Sequence, residues 1–110
     1  QAVQGLVAAI NRAILEVAKD PDAGIAELRR VEPLTDPAIE RQRMLYMLRA
    51  QMTTPETGAL GLGDLDDRRL EGAIGTVVET YGLPRTPGPR DVFLRDHLPP
   101  RATRILAVAE

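Results

Sequence analysis

Between Val3 and Lys19 the apolar residues fall at Val3, Leu6, Val7, Ile10, Ala13, Ile14 and Val17, the i, i+3, i+4, i+7 spacing of one helix face. This pattern predicts a first helix over 3–19. Asp20-Pro21 follows, pairing an N-cap acceptor with a proline suited to a first helical turn, and predicts a second helix over 21–31 with Ile25 and Leu28 inward. Glu32-Pro33 ends it. Asp36-Pro37 repeats the device and opens a third helix over 37–52, whose inward face is expected to hold Ile39, Leu45, Leu48 and Met52. Met44, Tyr46 and Met47 widen its apolar surface beyond one stripe, as in a helix packed on two sides, and Arg41, Arg43 and Arg49 are expected to lay their stems over what remains.

From Thr53 to Gly63 the periodicity gives way to TTPETGALGLG, a Gly-rich connection. Asp64, Asp66 and Asp67 then sit where a helix dipole favours carboxylates, and Leu70, Ala73, Ile74, Val77, Val78 and Tyr81 recur at helical spacing, predicting a fourth helix over 65–81. Gly82-Leu83-Pro84 supplies its C-terminal cap, hydrophobic contact and breaker. RTPGPR cannot continue a helix. DVFLRDHLPP is expected to form short helical turns over 91–98 that tuck Val92, Phe93 and Leu98 onto the rest, and RATRILAVAE to add a last helical stretch. No segment alternates as a strand does and none repeats. The expectation is therefore all-α: a compact bundle of four main helices with a short C-terminal turn, in a single domain or fragment spanning 1–110.

With 110 residues one domain is the prior. The hydrophobic share comes from Ala, Leu, Val and Ile, and the only aromatics are Tyr46, Tyr81 and Phe93, so the large rings that anchor ligand pockets or stack on bases are scarce. Fourteen basic residues against sixteen acids, net −2, give no electrostatic case for nucleic acid. Thirteen of the basic residues are Arg and one is Lys19, a bias read as genome composition. Without Cys there is no thiolate chemistry and no disulfide framework. No apolar run is long enough to span a membrane and no signal peptide is evident. The sequence opens at Gln1 inside a helical pattern, as expected of a piece of a longer chain.

The chemistry-bearing residues point to scaffold. Gly58, Gly61 and Gly63 are spaced G-x-x-G-x-G, without a preceding strand or a following Lys-Ser/Thr, and fit a tight helix-to-helix connection better than a phosphate loop. Asp64, Asp66 and Asp67 lack the glycine and distal glutamate of a calcium loop and are read as helix caps. His97, beside Asp96, has no evident nucleophile or ligand partner and is read as a surface or capping histidine. No catalytic residue, metal ligand or cofactor site is assigned, and the chain is not expected to be an enzyme.

The order of segments VQGLVAAINRAILEVAKDPDAGIAEL, EPLTDPAIERQRM, TPETGALGLGDLDDRRLEGAI, YGLPRTP and DVFLRDHLP resembles the C-terminal part of the NMT1/THI5-like family, from Val3 to Pro99. The most specific portion is Thr54-Pro55-Glu56-Thr57 with Gly61-Leu62-Gly63 and Arg69, then the helix ending at Gly82-Leu83. These are bacterial substrate-binding proteins of ABC importers for thiamin-pyrimidine precursors, sulfonates and similar small molecules. The resemblance implies a two-lobe α/β clamp with this stretch as helices on its outside, a periplasmic location, an ABC permease as docking partner, and a ligand bound only by the full protein; no ligand contact maps onto these residues. The family's eukaryotic enzymatic branch relies on a cysteine-rich motif that has no counterpart here. The alternative is a free-standing helical interaction or adaptor module. Helices made to cover absent lobes are expected to leave an apolar face, formed by Met44, Tyr46 and Met47 with Val3, Val7 and Ile14, that pairs two copies in a homodimer.

Overall fold

The computed structural model describes all residues, 1–110, and contains helices and no strand. The all-α expectation holds. The element order is α1 (Ala2–Lys19), α2 (Pro21–Val31), α3 (Pro37–Tyr46), a π-helical segment (Met47–Met52), α4 (Pro55–Leu60), α5 (Asp67–Tyr81), α6 (Pro89–Val92), and two 3₁₀ turns at Arg95–His97 and Arg101–Thr103.

The predicted caps are in place. The Asp20 carboxylate accepts from the Ala23 amide at 3.1 Å, and Asp36 accepts from Ala38 and Ile39 at 2.9 and 3.1 Å, so each Asp-Pro pair starts a helix by satisfying free N-terminal amides. Gly82 closes α5 at φ +59°, and the Leu83 amide reaches back to the Val78 carbonyl at 3.0 Å. That is the left-handed cap a Cβ disfavours.

Five expectations need correction. The Thr53–Gly63 connection contains a helix, α4, started by reciprocal bonds in which the Thr57 amide donates to the Thr54 hydroxyl and the Thr54 amide to the Thr57 hydroxyl. The third helix is α-helical only to Tyr46; beyond it the turn widens to π, and the Thr53 hydroxyl donates to the Leu48 carbonyl at 2.8 Å to satisfy a group the wider turn frees. Of its expected inward residues, Leu48 is buried and Leu45 and Met52 are half-buried, whereas Ile39 is exposed. The last ten residues are not a helix: after the 101–103 turn the chain runs without helical hydrogen bonds along the molecule. Val92, expected to tuck in, is 55% exposed.

α1, α2 and α3 pack in sequence, with Arg41 joining α3 to Asp22 of α2 at 2.6 Å, while α5 packs on α6 and the 95–97 turn on α1. The core is thin. Only nine of the 110 residues are buried, among them Ala18, Ile25, Leu48, Leu62 and Ile74. The accessible surface is 8122 Å², against roughly 6,000 Å² for a closed 12 kDa protein. The radius of gyration, 16.9 Å, likewise exceeds the value of about 13 Å for a compact domain of this length. A surplus of roughly 2,100 Å² therefore remains outside any core.

Exposed apolar side chains are spread along the chain, from Val3 on α1 through Leu34 and Tyr46 to Tyr81 and Leu94. From Ala2 to Asn11 the helix carries no charge on any side, yet Val3, Leu6 and Ile10 are 55, 62 and 51% exposed. Arg12, Glu16 and Lys19 give the second half of the helix a charged side, so the uncharged stretch is confined to its first turns. Of the residues expected to form the apolar face, Val3, Tyr46 and Met47 do lie outward, but Val7 and Ile14 of α1 and Met44 of α3, whose Cε lies beside Gly24 of α2, are half-buried.

Candidate functional site

The densest polar structure is built by three arginines of the C-terminal segment, each reaching far back along the chain. Arg95 donates through Nε to Asp64 at 2.8 Å and through Nη2 to Asp67 at 2.9 Å and the Leu65 carbonyl at 3.0 Å. Its guanidinium also lies 5.6 Å from the Phe93 ring centroid. Hydrogen bonds to Asp67 and then Asp64 raise its pKa above the ordinary arginine value, so the knot keeps its charge wherever the chain is folded. Arg101 donates to the Ala59 and Gly58 carbonyls at 2.6 and 2.9 Å, meeting the free carbonyls at the end of α4.

Arg104 is the centre of this arrangement and is only 4% exposed. Its guanidinium donates to the Leu62 carbonyl at 2.6 Å and the Pro99 carbonyl at 2.8 Å, and its own carbonyl accepts from the Leu62 amide at 2.7 Å. Residues 61–63 thus wrap around one arginine. Gly61 has φ +85° and ψ 163°, a region essentially closed to other residues, and a Cβ there would meet Arg104 Nη1 at 2.9 Å. Residue 61 is therefore glycine for two separate reasons.

The residues considered for chemistry in the sequence are dispersed into structural duties. Asp66 caps α5 by accepting from the Arg69 amide at 3.0 Å, and Glu56 accepts from the Asp66 amide at 2.9 Å while pairing with Arg69. Asp64 and Asp67, expected as caps, are tied chiefly to Arg95, although Asp67 does occupy the first turn of α5. His97 is half-buried rather than superficial: the 95–97 turn lays it toward α1, and its Nδ1 is enclosed with no hydrogen-bond partner. No nucleophile or carboxylate is hydrogen-bonded to it. No three His, Cys, Asp or Glu side chains converge as a metal would require.

The larger depressions are open to solvent. One of about 600 Å³ runs between Arg49 and Thr53 on one side and residues 106–110 on the other. Another surrounds the Glu56–Arg69 pair. Neither brings together groups that could move a proton or hold a small ligand on several sides. No helix is long and apolar enough to cross a membrane.

Arg101 and Arg104 leave no trace in residue types because their partners are backbone carbonyls, and Arg95 meets its carboxylates, Asp64 and Asp67, about thirty residues away, beyond any local spacing. The available signal was position. Arg95, Arg101 and Arg104 stand among prolines, outside any amphipathic helix that would explain them as a solvated face. Compared with family models, curated proteins and solved structures, the chain matches none of them.

Proposed function

We propose that this chain is the helical C-terminal portion of a periplasmic ABC-importer solute-binding protein of the NMT1/THI5-like kind, with a structural and permease-docking role and no catalytic one. The observation that carries the proposal is the uncharged, exposed N-terminal half of α1, together with a surface surplus of roughly 2,100 Å². Covering such a helix on more than one side calls for a body larger than these 110 residues, and two α/β lobes would provide one. The choice of family rests on the order and spacing of short motifs, Thr54-Pro55-Glu56-Thr57, Gly61-Leu62-Gly63, Arg69 and Gly82-Leu83. It does not rest on a family-model match. In this reading the arginine knots hold the C-terminal segment rigid on the outside of the lobes, and the ligand lies elsewhere.

The test is the parent reading frame. A secretory signal followed by some two hundred residues of alternating strands and helices ahead of Gln1, in a protein that binds a sulfonate or pyrimidine in calorimetry, supports the proposal. A reading frame without those lobes overturns it in favour of a free-standing helical adaptor.

A further inference from the structure

We draw no further inference here: the strongest candidate, the exposed apolar stripe of Val3, Leu6 and Ile10 on the first turns of α1, is an unpartnered face, and nothing in the structure shows what covers it.

Discussion

Arg104→Met tests whether the C-terminal clamp holds the fold together. Methionine keeps most of the stem that fills the space beneath Gly61–Gly63 but removes the guanidinium, which is 4% exposed and bonded to the Leu62 and Pro99 carbonyls at 2.6 and 2.8 Å. Each charge-assisted bond contributes about 1.5–3 kcal/mol, and the Leu62 carbonyl is left without its partner among covered atoms, so the expected loss is about 3–5 kcal/mol. A chain with nine buried residues is expected near the lower end of the ~5–15 kcal/mol range of small domains, and most of its stability is at stake. Urea unfolding followed by far-UV circular dichroism measures the loss as a shift in midpoint at an unchanged slope. A second variant sharpens the reasoning. Gly61→Ala combines backbone strain at φ +85° with a 2.9 Å approach to Arg104 Nη1; in the Arg104→Met background the approach is relieved and only the strain, about 1–3 kcal/mol, remains. If Arg104→Met costs less than about 1 kcal/mol, or if the two substitutions are strictly additive, the clamp is ornamental and the argument fails.

Gly82→Ala is expected to destabilise the chain by about 1 kcal/mol, read as a lower melting temperature, because φ at Gly82 is +59°. Thr54→Val removes the acceptor that meets the Thr57 amide and is expected to cost about 1 kcal/mol, with amide exchange accelerated locally over Pro55–Leu60. Thiamin-pyrimidine precursors, taurine and nucleotides are expected to give no saturable heat on titration into this chain, since its depressions are open and the polar groups of the one beside Thr54 are already paired, Glu56 with Arg69 and Asp66 with the Arg69 amide; a specific micromolar affinity would relocate the pocket into these residues.

The long helices were legible in the sequence because their signals are local. Asp20-Pro21 and Asp36-Pro37 start helices by bonding amides two or three residues away, and Gly82-Leu83 ends one by reaching back to Val78. α4 was missed although its signal, Thr54-Pro55-Glu56-Thr57, is just as local: six residues are too few for periodicity, and the glycines at 58, 61 and 63 read as loop. The π turn at Met47–Met52 leaves the apolar spacing nearly unchanged and is invisible to it. RILAVAE reads as helix by composition, but its place is decided by Leu62, Ala18 and Arg49, residues 42 to 91 positions away, whose carbonyls and amides carry no compositional mark. Of the candidate site, the glycines were noticed for their spacing while the arginine they enclose was counted only as charge.

The three arginine clamps also determine the order in which the molecule assembles. α1, α2 and α3 meet across connections of a few residues, and those contacts form early because little chain must be gathered to make them. The bonds from Arg101 to Gly58 and from Arg104 to Leu62 instead close loops of 43 and 42 residues. Gathering a loop of that length costs about 3 kcal/mol in chain entropy before any bond repays it. The C-terminal segment therefore docks late and undocks first, onto helices already formed. Its release would free the buried Leu62 from Arg104, so the last step of folding is also the one that pairs this residue's amide and carbonyl.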